Sequence, residues 1–327
     1  MDNIKTLRIL DLFAGTGAFS LVFHSSSTNT VKYETVMAND YEKASRTIYK
    51  ENFPEQNFVL GDINTIDVNS IPAHDILCGG FPCQPFSIAG HQEGFNDERS
   101  NVFWKILEIL KNHKPGIIIL ENVKNLTTHD NKNTYRTITT KLEELGYKLR
   151  AKVLDTSRIT CVPQHRERIY IVGFLDEEHY KQFSMDFPDV EVDKISALLE
   201  KAEIDEKYYY TDRFVVYNTV SEGVTKNISE NVLYQLRRQY VRENKSNLCP
   251  TMTANMGGGG HNVPLLRDST GIRKLTPREC FNLQGFPAHY KLPETLSDSA
   301  LYKLAGNAVS VPVVKKIVER LTNILSQ

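Results

Sequence analysis

Short apolar runs alternate with longer amphipathic stretches through the first half of the chain. LRILDLF (7–13), YETVMAND (33–40), NFVLGD (57–62), HDILCGG (74–80) and GIIILEN (116–122) each end in a polar or glycine-rich turn. Compact apolar runs bounded in this way predict strands buried on both faces. Between them, YEKASRTIYKENF (41–53), SNVFWKILEILKNHK (100–114) and NKNTYRTITTKLEELGY (131–147) place apolar residues at helical spacing. Ser100 stands where an N-cap is wanted and Gly146 where a C-cap is. The alternation predicts an α/β fold, a doubly wound and mostly parallel sheet with helices on both faces. After RERIYIVGF (166–174) the pattern fades, and residues 177–272 read as less regular. It returns in VPVVKKIVERLTNIL (311–325), an amphipathic stretch suited to closing the sheet. The division expected is a catalytic domain over 1–176, an inserted domain with its hinge over 177–290, and a segment over 291–327 that returns to the first.

In sheets of this class, ligands bind beyond the carboxyl ends of the strands. Candidate chemistry therefore falls on Asp40, Asp62, Cys83 and Glu121. The turn after the first run, DLFAGTGAFS, carries Gly15 and Gly17, which let backbone approach a ligand at a helix start. A dinucleotide fingerprint would place a third glycine where Ser20 stands. Asp40 can accept from ribose hydroxyls and Asp62 from an adenine amino group, as an adenosine ligand without pyrophosphate requires. Taken singly, the two glycines equally fit a tight turn, and each aspartate a surface cap.

Composition narrows the class. The chain has 327 residues, 24% charged and 40% hydrophobic, an ordinary soluble globular balance. It shows no apolar stretch near the ~20 residues of a membrane span and no leader pattern, so the cytoplasm is the expected location. Five scattered cysteines include no C-x-x-C pair, which argues against a zinc site, any other metal or a disulfide framework. Net charge is −1, but unevenly spread: 176–206 carry eleven acids and three lysines, 207–280 eleven basic residues and six acids. A basic segment behind an acidic one fits a face turned to phosphate.

Cys83 sits between two prolines in GGFPCQPFS, on backbone that proline geometry holds away from helix. That block, with DLFAGTGAF, ENV (121–123), QHRERIYIVGF (164–174), RKLTPRECFNLQGFP (273–287) and GNAVSVPVV (306–314), resembles the C5-cytosine DNA methyltransferases, in order and over almost the whole chain. Only about 177–272 lacks a strong match, where that family varies its target recognition.

The resemblance implies a methyl group moved from S-adenosylmethionine to C5 of cytosine. Cys83 is the implied nucleophile at C6, Glu121 the acid at N3, and Arg166 and Arg168 the pair orienting base and glutamate. Two residues apart on one strand, those arginines would point to the same side. The implied cofactor set is Phe13, Ala14, Gly15, Gly17, Asp40, Tyr41, Asp62, Ile63, Pro82, Asn307 and Ala308. The target must leave the duplex stack to be reached. The loop around Ser87 and Arg99 is suited to close over it, and Thr251 to steady the flipped backbone. Arg237, Arg238 and Arg242 are candidates for base edges or phosphates, while Gly257 and Gly258 allow close approach to DNA. Duplex DNA is the expected partner of a monomer, with a restriction endonuclease as genetic company only. Three other readings stay in view, of which an NAD-dependent oxidoreductase is disfavoured by Ser20 and by the absence of a hydride-transfer constellation. A transfer-RNA cytosine methyltransferase would share Cys83, but its Cys-Phe-Thr signature is absent from NLCPTMT (247–253). A DNA-binding module with a dead cofactor fold is opposed by the intact Cys83, Glu121, Arg166 and Arg168.

Overall fold

The computed structural model describes residues 4–82, 102–224, 229–237, 240–257 and 262–327. Ser100 lies outside them. The chain forms two compact units: 1–154, 167–187 and 314–327 make the first, and 155–166 with 188–313 the second.

The first unit is built on a seven-stranded sheet. In chain order its elements are β1 (Lys5–Leu12), α1 (Ala18–Ser25), β2 (Val31–Asp40), α2 (Lys43–Asn52), β3 (Phe58–Leu60), β4 (Ile76–Gly80), α3 (Val102–His113), β5 (Ile117–Val123), α4 (Asn133–Glu144) and β6 (Lys148–Asp155). After the short helix α5 (Thr156–Ile159), which belongs to the second unit, come β7 (Glu167–Phe174) and α6 (Glu177–Gln182). The strand order is β3-β2-β1-β4-β5-β7-β6. Pairs from β3 through to β5 are parallel, and β5–β7 is antiparallel. Ile9, Leu10, Leu77, Ile118 and Leu120 are fully buried, because helices cover both faces of these central strands. α3 shows how periodicity becomes packing: Phe103, Ile106, Ile109 and Leu110 share the buried face, while Lys111 and His113 stand in the last turn, where cations favour the helix dipole. Gly146 takes φ 96° just past α4, the left-handed turn that ends a helix most cheaply with glycine.

The second unit carries α7 (Tyr217–Gly223), β8 (Ser229–Leu236), β9 (Val241–Glu243), β10 (Leu265–Arg267), β11 (Ile272–Lys274), α8 (Pro277–Leu283) and α9 (Asp298–Asn307). The last helix, α10 (Val311–Leu325), begins there and runs into the first unit. The stretch read as irregular thus contains a four-stranded antiparallel sheet ordered β11-β10-β8-β9. β9, β10 and β11 span three residues each, and β10 meets β8 with a register shift between Leu265 and Arg267, so no sustained two-residue alternation marks these three. Val220, Tyr234, Leu265 and Ile272 form its core. Beside it, Arg273 bonds both oxygens of Glu279 (2.7 and 2.8 Å) and one of Asp268 (2.7 Å), with Glu279 fully buried. Among the described residues, no helix is long and apolar enough to cross a membrane.

Candidate active site

Parallel pairing brings the carboxyl ends of β1, β2, β3, β4 and β5 to one edge of the sheet. The turn after β1 is held in place by its neighbour: Ala14 N–H donates to Asn39 O (2.9 Å) and Gly15 N–H to Asp40 Oδ2 (2.9 Å). Phe13, Gly15 and Gly17 all have positive φ, at 54°, 53° and 71°. At Gly17 a Cβ would come 2.6 Å from Phe53 and 2.9 Å from Tyr49; the turn lies directly on those two rings. Asp40 also accepts from Glu42 N–H at 2.8 Å. Burial pushes its carboxyl up from the ordinary range, opposed by these two backbone donors. The Ser45 side chain also bonds this carboxylate; with about four acceptor sites in all, it retains capacity for a ligand hydroxyl. Tyr41 beside it is 68% exposed, an open aromatic surface. Asn39 Nδ2 donates to the carbonyls of Val59 and Gly61 and so sets the exit of β3. Asp62 then caps the turn of Ile63, accepting from Asn64 N–H.

Beneath this turn lies Asp11, fully buried at the end of β1. Its Oδ2 accepts from Ser20 N–H (3.2 Å) and Ser20 Oγ (2.7 Å). The N-cap of α1, Gly17, has no side chain to offer, so Asp11 caps that helix from the preceding strand. Ser20 Oγ also lies 2.9 Å from the Tyr49 hydroxyl. Desolvation raises the Asp11 carboxyl to about 7 against the lowering effect of the Ser20 bonds.

A second cluster forms where β4 and β5 end. Gly80 pairs with Glu121, and Asn122 Nδ2 donates to Phe81 O at 3.0 Å, which fixes the backbone leading to Pro82. Glu121 is 7% exposed. Across the antiparallel pair, Arg168 faces Val123 and reaches Glu121 diagonally, Nε to Oε1 3.1 Å. A buried carboxylate is tolerable beside such a partner. Arg166 is placed differently: it precedes β7, lies in the second unit, and its guanidinium bonds the carbonyls of Met252, Gly306 and Ala308.

The model of the C-5 cytosine-specific DNA methylase family matches residues 7–323. The chain belongs to that family. It is 47% identical over 318 residues to the Type II methyltransferase M.Bsp6I of Bacillus sp. (strain RFL6), covering 96% of this chain and 98% of that one. It is 34% identical to M.HhaI of Haemophilus parahaemolyticus, with 99% and 97% covered. Its fold is similar to that of the S. pombe Dnmt2 methyltransferase, TM-score 0.73 at 21% identity, covering 98% and 99% of the two chains. The protein is an enzyme, a DNA (cytosine-5-)-methyltransferase.

In this methyltransferase, one sheet edge gathers Phe13, Ala14, Gly15, Gly17, Asp40, Tyr41, Asp62, Ile63, Pro82, Glu121 and Arg168 in the first unit, whereas Arg166, Thr251, Gly257, Asn307 and Ala308 belong to the second. Cys83, Ser87, Arg99, Arg238 and Gly258 lie outside the described residues. Thr251 Oγ1 donates to His165 O at 2.6 Å. Arg237 and Arg242 are both exposed along the β8–β9 pair. Among the described residues, no three His, Cys, Asp or Glu gather as metal ligands. A cleft of about 1370 Å³ in the second unit, lined by Glu200, Glu203, Asp205 and Lys207 among others, contains none of the expected site residues. Asp11 and Asn122 escape sequence reasoning as supports of the site. The available signal was an acid inside an apolar run and an amide directly after Glu121.

Proposed function

We propose that the enzyme methylates C5 of a flipped-out cytosine in a specific duplex DNA sequence, using S-adenosylmethionine, and protects host DNA within a restriction–modification system. The observation that carries this reading is Glu121, buried at the end of β5 with Arg168 at 3.1 Å, paired with the strand end from which the chain enters Pro82 and Cys83.

The chain's own residues have distinct tasks. The Cys83 thiolate adds to C6 of cytosine, giving C5 the electron density that the aromatic ring withholds. A thiol of ordinary pKa ~8.5 is mostly protonated near neutrality, so thiolate formation and attack need assistance. Acting as an acid, a role that requires its carboxyl to hold a proton against the pull of Arg168, Glu121 hydrogen-bonds N3 and stabilises the charge that addition places there, and Arg168 orients that carboxyl and binds the base at O2. Loss of the C5 proton to a base, with departure of Cys83 from C6, restores the aromatic ring.

The residues present fit the methyl donor. Asp40 retains acceptor capacity for ribose hydroxyls, Tyr41 offers an open ring, and the Phe13–Gly17 turn carries no bulk at Gly15 or Gly17. Asp62 and Ile63 receive the adenine, and Asn307 and Ala308 the methionine end. When bound, S-adenosylmethionine supplies an electrophilic methyl carbon for C5. In functional terms, residues 1–176 form the catalytic part, 177–290 the target-recognition part and 291–327 the returning segment. Ser87, Arg99, Thr251, Arg237, Arg238, Arg242, Gly257 and Gly258 meet DNA. The enzyme works as a cytoplasmic monomer, with an endonuclease as genetic company.

Bisulfite sequencing of plasmid DNA from cells expressing the protein tests the reading and reports its target. Protected cytosines in one recurring sequence are expected. Labelled methyl entering transfer RNA but not duplex DNA would overturn it.

A further inference from the structure

Arg166 is among the largest buried side chains of the described residues, 2% exposed. Its Nη1 donates to Met252 O (2.8 Å), and its Nη2 to Gly306 O (3.2 Å) and Ala308 O (2.7 Å). Two stretches far apart in sequence, 251–254 and 306–310, therefore share one guanidinium within a single unit. They also touch directly: a Cβ on Gly306 would lie 2.2 Å from the carbonyl of Thr253. Met252 is held from its other side too, its N–H donating to Gln164 Oε1 at 3.3 Å. The backbone that carries Arg166 is anchored in turn. Arg166 O accepts from Thr156 N–H (3.1 Å) and Thr156 Oγ1 (3.4 Å), and Thr156 Oγ1 reaches Ser310 Oγ at 2.9 Å.

A buried guanidinium is costly unless its donors are satisfied, and its planar fork accepts few arrangements of acceptors. Displacing either stretch would strand part of the charge. The two stretches are thus most stable when both are in register, and loosening one leaves the guanidinium less well satisfied at the other.

We propose that Arg166 is a positioning residue that couples the target-contacting stretch at Thr251–Thr253 to the cofactor-contacting stretch at Gly306–Ala308, so that a ligand on one orders the other. This rests on the proposed function, which places DNA at the first stretch and the methionine end of the cofactor at the second. Coupling of this kind is reciprocal and commonly amounts to about 5-fold or more.

Hydrogen–deuterium exchange on the full chain tests it, adding S-adenosylhomocysteine and long unmethylated duplex DNA separately. S-adenosylhomocysteine alone is expected to slow exchange at 13–17 and 305–309, and also at 251–254 by about 5-fold or more. DNA alone is expected to slow 305–309 as well as 251–254. Protection confined to each ligand's own stretch overturns the coupling. No protection at 13–17 by S-adenosylhomocysteine would instead remove the cofactor reading beneath it. Two variants assign the coupling to Arg166. Arg166→Lys loses the fork, and Thr156→Val loosens its backbone anchor while leaving the guanidinium in place. Far-stretch protection lost in either, with 13–17 still protected, supports the proposal. Far-stretch protection equal to wild type in every variant that folds overturns it, and Thr156→Val decides alone if Arg166→Lys does not fold.

Discussion

Gly17→Ala puts the cofactor turn under a load that can be worked out. Gly17 sits at φ 71°, ψ 29°, where an L side chain costs roughly 1–2 kcal/mol. The new methyl would lie 2.6 Å from Phe53 Cε2 and 2.9 Å from Tyr49, and overpacking of that kind costs about 1–3 kcal/mol. Neither ring yields easily: Tyr49 is fully buried, with its hydroxyl bonded to Gln56 and 2.9 Å from Ser20 Oγ. The sum, roughly 2–5 kcal/mol, moves a urea midpoint down by about 1 M at a slope near 3 kcal/mol/M. If the turn shifts to relieve the strain, each ~1.4 kcal/mol lost from the bound geometry weakens S-adenosylhomocysteine tenfold. Urea unfolding followed by circular dichroism, paired with calorimetric titration of S-adenosylhomocysteine, reads both effects. Gly61→Ala serves as the control, since nothing lies within 4 Å of its added carbon. A Gly17→Ala protein with the wild-type midpoint and affinity would refute the argument.

Three further outcomes are expected. Asp11, raised by burial to about 7 in the folded protein, contributes stability that is complete below its unfolded pKa near 4 and is lost as pH rises toward 7. Asp11→Asn should flatten that pH dependence, whose total across the window is on the order of 4 kcal/mol at most, in unfolding measured from pH 4 to 8; an unchanged dependence counts against a titrating Asp11. Arg273→Met strands the buried Glu279, costing about 3–5 kcal/mol, and should lower the thermal midpoint by about 10 °C in a scanning calorimeter; a shift under about 2 °C contradicts it. Cys83→Ser should abolish incorporation of labelled methyl into duplex DNA while calorimetry still finds S-adenosylhomocysteine bound, and retained turnover would exclude the thiol adduct.

Of the strand ends named from hydrophobic pattern alone, Asp40 closes β2, Asp62 lies two residues past β3 and Glu121 pairs with the last residue of β4, while Cys83 lies outside the described residues. Each buried run is a local signal, and the residue after it is where a parallel strand must leave the sheet. α3 and α10 were legible for the same reason, since their apolar spacing sets the face they bury. The second unit's sheet was not, because β9, β10 and β11 are three residues each, too short for a period to declare itself. Arg166 and Arg168 show the limit most clearly. On an assumed common strand their spacing puts them on one side, yet β7 begins between them. Arg168 meets Glu121 only because β7 lies antiparallel beside β5, and Arg166 turns to carbonyls contributed from residues 252, 306 and 308. Periodicity along the chain determined the elements, their order and the candidate strand ends, since those depend on neighbours a few residues apart. Strand order, the diagonal ion pair and the burial of Asp11 and Arg166 were decided by contacts between distant segments, which exist only once the chain has folded.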